Sequence, residues 1–127
     1  MKIKKLVDKY KLTKEDFWEF KRGGQSLWII THDACEKIAS IENIQFGAPK
    51  VFRDNNQDVA MVGDAKRGNK VIWSTGEASP KNCKAQFPWA MAEKRLKDRL
   101  ILKLISAYEY GVFSEVEADA FKKPSHD

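Results

Sequence analysis

Hydrophobic and polar positions follow a helical period over the longest stretch of the chain that lacks an internal glycine or proline, residues 87–108. Pro88 stands where a first-turn proline opens a helix. Apolar residues recur at three- and four-residue steps, which places them on one helical face: Trp89, Ala92, Leu96, Leu100, Leu104 and Tyr108. The pattern predicts one long amphipathic helix over residues 88–108.

The two halves of this helix differ in polarity. The first half is basic on the face opposite the apolar stripe, with Lys94, Arg95, Lys97 and Arg99. The second half is apolar nearly all round because Ile101, Leu102 and Ile105 point away from that stripe. We therefore expect the first half to face solvent or an anionic partner. The second apolar side is expected to contact the acidic tail or a neighbouring subunit.

Between residues 44 and 78 the hydrophobic period changes towards two, which is typical of strands. A first strand over 44–53 is interrupted at 47–49, and further strands are predicted over 59–63 and 71–76. Turns are expected at 54–56 and 66–69. Three strands joined by tight turns predict an antiparallel meander, with one face covered by the long helix.

The flanking segments predict shorter elements. A helix over 14–21 is expected after Thr13 and ends at Gly23-Gly24, followed by a strand over 27–31. A second helix, capped by Thr31 or His32, continues to about residue 42. Ser114 with Glu117 forms a capping-box pattern that predicts a short acidic helix ending near residue 121.

These elements define a single α+β domain over residues 1–127. Its predicted core is a β-β-β-α unit, a three-stranded antiparallel meander packed on a long C-terminal helix, preceded by an N-terminal helix, strand and helix. Residues 1–12 form a basic N-terminal segment and residues 122–127 a disordered tail.

Charge is unevenly distributed along the chain. Lysine and arginine number 23 against 18 acidic residues, a net charge of +5. Residues 77–108 are rich in basic side chains and residues 109–127 in acidic ones. A basic helix followed by an acidic tail favours a polyanionic partner.

Other classes of protein are disfavoured by the sequence. No apolar run approaches the roughly 20 residues that span a bilayer, so no membrane association is expected. The two cysteines give no disulfide framework, which indicates the reducing cytoplasm. No phosphate-binding glycine loop or nucleophile–base motif is present, so neither an enzyme nor a cofactor is predicted.

His32 and Cys35 have the spacing of a metal-ligand pair. The remaining cysteine and histidine are Cys83 and His126, the latter in the tail, so four zinc ligands are not expected to converge. We interpret His32 as a residue at the helix start and Cys35 as a buried side chain.

A cationic strip is the strongest indication of function. It combines the basic helix face, the loop before it and the second turn of the meander: Lys66, Arg67, Lys81, Lys84, Lys94, Arg95, Lys97 and Arg99. Strips of this kind bind phosphates without reading base sequence. Trp73 and Phe87 lie near the strip and either stack on bases or belong to the core, and for Trp73 the core is favoured.

Four segments resemble a known family: LWIITHDACEKIA (27–39), VIWSTGEASPKNCK (71–84), PWAMAEKRLKDRLILKL (88–104) and VFSEVEADAF (112–121). They are similar to phage single-strand annealing proteins of the Rad-fifty-two-like superfamily, which includes Sak, Sak-three, Erf and Redβ. The resemblance implies ATP-independent binding and annealing of single-stranded DNA during homologous recombination of a phage or mobile element, in the cytoplasm of a bacterial host. It also implies assembly into rings or filaments, with a phage exonuclease or single-strand-binding protein as a further partner.

Two neighbouring positions depart from the family pattern. The basic pair of the eukaryotic relatives' motif falls here on Ile101 and Leu102, so DNA contacts are not carried over to these two residues. Instead, Ile101, Leu102 and Ile105 are predicted to form the subunit contact.

Two other functions are compatible with the residues. A helix–three strands–helix order also occurs in double-stranded-RNA-binding domains, so a nucleic-acid-binding module without annealing activity is the first alternative. The second is an interaction protein that forms oligomers through the apolar back half of the helix and binds no nucleic acid.

Overall fold

A computed structural model of the protein describes residues 3–55, 58–79 and 87–117. Its described part is an α+β fold, as predicted, in which a long helix lies on one face of an antiparallel sheet. The elements in chain order are α1 (Lys4–Tyr10), β1 (Phe17–Arg22), β2 (Gln25–Ile30), α2 (His32–Ile41), β3 (Gln45–Phe46), β4 (Lys50–Asn55), β5 (Asp58–Arg67), β6 (Lys70–Ala78), α3 (Pro88–Leu104), a 3₁₀ turn (Ala107–Tyr110) and β7 (Val112–Ser114).

The predicted meander is confirmed, including its interrupted first strand. β3 and β4 both pair antiparallel with the same edge of β5, separated by residues 47–49, and β6 pairs with the other edge. The β5–β6 turn is tighter than predicted, because β5 continues to Arg67 and only Gly68 and Asn69 remain outside the strands. Gly68 adopts a positive φ of 59°, which this tight turn requires.

α3 lies unusually close to the sheet because two glycines face it. A Cβ atom on Gly76 would lie 2.2 Å from the Ala92 carbonyl oxygen, and one on Gly63 would lie 2.9 Å from a methyl carbon of Leu96. The core between sheet and helix contains Val59, Met61 and Ala65 from β5 and Leu96 and Leu100 from α3. Small side chains on β5 and β6 therefore mark the face that the helix covers.

The segment over residues 14–21 is not a helix, which corrects the prediction. Thr13 and Asp16 form a local turn, in which the Thr13 amide donates to the Asp16 carboxylate at 2.8 Å, and β1 follows. β1 pairs antiparallel with β2 across the turn at Gly23 and Gly24, whose φ angles of 56° and 81° suit a two-residue hairpin turn. Strand pairing thus overrides the local helix-start signal.

The ends of the chain also differ from the prediction. The basic N-terminal segment contains α1, whose Leu6 and Tyr10 are buried. The long helix ends at Leu104 rather than 108, because Ser106 turns the backbone into the left-handed region at φ 58°. Ser114 does not start a helix: it ends β7, which lies parallel to β2. The rest of that predicted helix, residues 118–121, lies outside the described residues.

Candidate nucleic-acid interface

The basic face of α3 forms hydrogen bonds along the edge of β6 that does not pair with β5. Basic side chains spaced four residues apart on the helix donate to backbone carbonyl oxygens spaced two residues apart on the strand. Arg95 donates to Glu77 at 2.8 Å, Arg99 to Thr75 at 2.9 Å, and Lys103 approaches the Trp73 oxygen at 3.5 Å. Four helical residues rise about 6 Å and two strand residues about 6.6 Å, so the two repeats match. The cations therefore satisfy carbonyl groups that an edge strand otherwise leaves unpaired.

Arg99 is also the centre of an ion-pair network. Its guanidinium donates to both carboxylate oxygens of Glu77 at 2.8 and 2.9 Å and to both of Glu117 at 2.8 and 2.9 Å. The hydrogen bond from Arg99 lowers the pKa of Glu77 below its ordinary value of 4.5. Arg99 thus ties β6 to the segment after β7, and its donors are directed inward.

Arg95 lies deeper, with only 6% of its surface exposed. Its Nε donates to the Val116 carbonyl at 2.7 Å. The predictions that Arg95 and Arg99 contact DNA are therefore wrong for this conformation, because a phosphate would have to replace buried internal hydrogen bonds.

The predicted hairpin cations have different environments. Arg67 pairs with Glu42 and donates to the Leu104 carbonyl at 3.1 Å, at the negative end of the α3 dipole. Arg67 is accordingly a helix-capping residue rather than an available phosphate ligand. Lys66, its neighbour, is exposed and forms no ion pair with a described residue.

The other cations of the predicted strip have no common role. Lys94 is exposed, whereas Lys97 is half-buried, lies 3.6 Å from Glu93 and sits 5.5 Å from the centre of the Phe46 ring. Lys81 and Lys84 lie outside the described residues. The continuous strip that the sequence predicts is thus reduced, within the described part, to Lys66 and Lys94 as exposed cations.

The predicted subunit contact is also corrected. Ile101 and Leu102 have no exposed surface, and Ile105 is 8% exposed, because α3 is enclosed between the sheet and α2. A second subunit needs exposed atoms to contact, so these three residues belong to the core instead.

The opposite face of the sheet is open, and a tryptophan stands on it. Trp73 is 67% exposed, so the prediction that it belongs to the core is wrong. It lies directly opposite Asp64 in the β5–β6 ladder, in a shallow depression of about 200 Å³ that is also lined by Lys50 and Val62. The Nζ of Lys103 lies 6.0 Å from the ring centre on the side of the strand edge.

Register places two lysines on either side of this tryptophan along the strand direction. Lys50 is opposite Val62, two residues before Asp64 on β5, and Lys66 is two residues after it. At about 3.3 Å per residue, Val62 and Lys66 are separated by about 13 Å along the strand. The open face therefore presents one stacking surface between two cations. We call Lys50, Lys66 and Trp73 the open-face site.

Sequence reasoning named Lys66 as a DNA-binding cation and Trp73 as a possible stacking residue, but it missed Lys50 and the open face that the three residues share, although a signal for that face exists. Gly63 and Gly76 are places where a backbone approaches closely, and they define the helix-covered face. Because side chains alternate along a strand, Trp73 must then lie on the uncovered face.

A second polar cluster is buried and structural. Asp98, with no exposed surface, accepts a hydrogen bond from the Ser114 hydroxyl at 2.5 Å and lies 2.7 Å from Nδ1 of His32. Burial raises the pKa of Asp98 to about 6 and that of the Cys35 thiol well above its ordinary value. Ser114 contacts the carboxylate rather than the imidazole, so the cluster lacks the geometry of a nucleophile–base pair.

The cluster instead joins α2, α3 and β7. Thr31 is the N-cap of α2, since its hydroxyl accepts from the Ala34 amide at 3.0 Å, and Cys35 is buried as predicted. Within the described ranges no group of three or more histidine, cysteine or acidic side chains is arranged to hold a metal ion.

Comparison with known proteins gives no family assignment: no protein-family model and no curated protein sequence matches the chain. Among the described helices, none combines the length and apolar character needed to cross a membrane.

Proposed function

We propose that this domain binds single-stranded DNA on the open face of its sheet, and that it anneals complementary strands without ATP. The observation that supports the proposal is Trp73, a large aromatic side chain left 67% exposed on an uncovered sheet face between Lys50 and Lys66. Aromatic side chains on open strands stack on bases of any sequence, and flanking cations bind the phosphates.

The charge balance of the open-face site favours an anionic ligand. Lys50, Lys66 and the neighbouring Lys103 oppose Asp64, while Glu77 at the edge of the same face is neutralised by Arg99. The single-stranded form fits better than a duplex, because stacking on Trp73 requires an unpaired base with a free face.

Annealing by this class of protein is expected to involve self-assembly, and an exposed apolar strand edge supports it. The far edge of β4 pairs with no described strand, and Phe52 at the irregularity in this strand is 73% exposed beside Val51 at 45%. Exposed apolar edges of this kind mark contacts with another chain. We assign the subunit contact to β4 in place of the core residues of α3.

The binding site is tested by fluorescence anisotropy with a labelled oligothymidylate at several salt concentrations. Lys50→Ala with Lys66→Ala is expected to flatten the slope of log K against log salt by about 1.4, because each lost phosphate contact on a single strand removes about 0.7. The matched control is Lys94→Ala with Lys97→Ala, which removes the same charge from α3. An unchanged slope for the Lys50 and Lys66 variant together with a flattened slope for the control would place the site on the helix.

Trp73 gives a test that does not depend on charge. Trp73→Ala is expected to weaken binding by about 1–3 kcal/mol, the usual contribution of one stacked base, whereas Trp73→Phe retains most of it. Annealing is then followed with two complementary labelled oligonucleotides in the absence of ATP. A wild-type protein that binds no single-stranded DNA, or leaves annealing at its spontaneous rate, contradicts the corresponding part of the proposal.

A further inference from the structure

A second concave surface lies between the β1–β2 hairpin and the 3₁₀ turn. The groove has a volume of about 760 Å³, and its aromatic lining consists of Trp28, Tyr108 and Tyr110. This volume is within the range of about 300–1,000 Å³ that is typical of ligand sites. None of these residues belongs to the open-face site.

Strand pairing and the 3₁₀ turn fix the groove walls. Trp28 is directly opposite Glu19 in the β1–β2 ladder, so both side chains point to the same face. The Trp28 amide donates to the Gly111 carbonyl at 2.8 Å, which holds the 3₁₀ turn beside β2. Gly111 has a φ of 70°, which few other residues adopt readily.

Ring contacts hold two of the aromatic side chains in place. Trp28 meets Phe17 edge to face at 5.9 Å between ring centres, and Tyr108 packs at a tilt against Phe113 at 5.4 Å. Burial raises the pKa of Tyr108, so this phenol stays neutral at physiological pH. The groove therefore presents preorganised π surfaces.

The groove is acidic although the protein is basic overall. Glu19 and Glu109 line it, no lysine or arginine does, and neither carboxylate forms an ion pair with a described residue. An aromatic lining with two carboxylates attracts a cation through both the ring quadrupoles and the charges. The rest of a chain with net charge +5 repels such a ligand, which makes the groove its preferred point of contact.

We propose that this groove binds an arginine or lysine side chain presented by a basic segment of a partner protein. The guanidinium or ammonium group lies between the rings of Trp28 and Tyr110, and Glu19 and Glu109 accept its hydrogen bonds. Arginine fits best, because its planar group stacks on aromatic rings while donating to carboxylates. This contact is independent of the DNA-binding proposal.

The test is a nuclear magnetic resonance titration of the full chain with the blocked peptide acetyl-Gly-Arg-Gly-amide, observing the indole resonances. The expected result is saturable shifts of Trp28 but not of Trp73, and none with the citrulline peptide, which keeps the shape and lacks the charge. Glu19→Gln with Glu109→Gln is expected to weaken binding about tenfold. Glu15→Gln with Glu93→Gln changes the net charge equally, lies outside the groove, and is expected to have no effect.

Substitutions of Tyr110 separate cation binding from simple apolar contact. Tyr110→Phe retains the π surface and is expected to bind the arginine peptide as the wild type does, whereas Tyr110→Leu weakens it. Equal binding of the arginine and citrulline peptides, or equal loss in both pairs of glutamate variants, would overturn the proposal. If the wild-type chain self-associates and only the Glu19 and Glu109 variant is monomeric, the occupant is a second copy, which overturns the assignment to a separate partner.

Discussion

Replacing Arg99 by alanine separates a structural role for the basic helix face from a role in DNA binding. The substitution removes charge-assisted hydrogen bonds to Glu77, Glu117 and the Thr75 carbonyl from a side chain that is 19% exposed. It also leaves two carboxylates facing each other. Glu117 is 16% exposed and cannot be fully hydrated, whereas Glu77 at 37% can partly recover water contacts.

The expected loss of stability follows from that geometry. Removing one partner of a buried ion pair costs about 3–5 kcal/mol, and the partial exposure of Glu77 reduces this to about 2–3 kcal/mol. For a domain of this size the loss corresponds to a decrease in Tm of about 10 °C. Arg99→Lys is the matched control. Lysine keeps the charge but cannot reach three acceptors at once, so the Tm of this variant is expected to lie between those of the wild type and Arg99→Ala.

Thermal unfolding followed by circular dichroism measures these differences, and pH provides an internal check. The pKa of Glu77 is lowered in the folded state, so its stabilising contribution is present above the ordinary value of 4.5 and is lost as pH falls through the folded-state pKa. The difference between wild type and Arg99→Ala should therefore shrink in acid. A Tm that is unchanged by the substitution, or folded Arg99→Ala protein that no longer binds single-stranded DNA, would refute this interpretation.

Three further substitutions test the core. Burial gives Asp98 a folded-state pKa of about 6 against an ordinary 3.8, so the folded state binds the proton more tightly and stability falls as pH rises through this window. Asp98→Asn removes this pH dependence. Between about pH 4 and 7, the free energy of unfolding of the variant relative to wild type, measured by urea titration, is expected to rise by up to about 3 kcal/mol. A difference in stability that does not vary with pH would contradict this expectation. Gly76→Ala places a Cβ against the α3 backbone and is expected to cost about 3 kcal/mol or more, whereas Gly63→Ala meets only a Leu96 methyl group and costs less. Equal losses of stability in the two glycine variants would show that the helix can shift away from the sheet.

The sheet and the long helix could be predicted from the sequence because their signals are local. Period-two alternation with turn residues defines the meander, and a proline followed by helical periodicity defines α3. β1 could not be predicted in this way, because Thr13 and the following acids form a turn whose hydrogen bonds imitate a helix start. Its strand depends on pairing with β2, and the Gly23-Gly24 hairpin turn was the available indication.

The predicted site was less accurate, since periodicity shows which side chains share a face but not what lies opposite. Arg95 and Arg99 share the basic face of α3, yet the free edge of β6 and Glu117 are brought to them only by tertiary structure. In the same way, the buried positions of Ile101 and Leu102 depend on enclosure by α2 and the sheet. A charged helix face therefore indicates only that the face is polar. The carbonyl groups of a nearby edge strand can accept the hydrogen bonds of its cations.

Photo-crosslinking tests the central claim most directly, that single-stranded DNA lies on the open face of the sheet. An oligothymidylate containing 5-iododeoxyuridine is irradiated with the full-length protein, and the crosslinked peptide is identified by mass spectrometry. We expect the crosslink at Trp73, with loss of the product in Trp73→Ala. Crosslinks confined to Phe87 or Trp89 at the start of α3, with none on β6, would contradict the account and return the site to the helix.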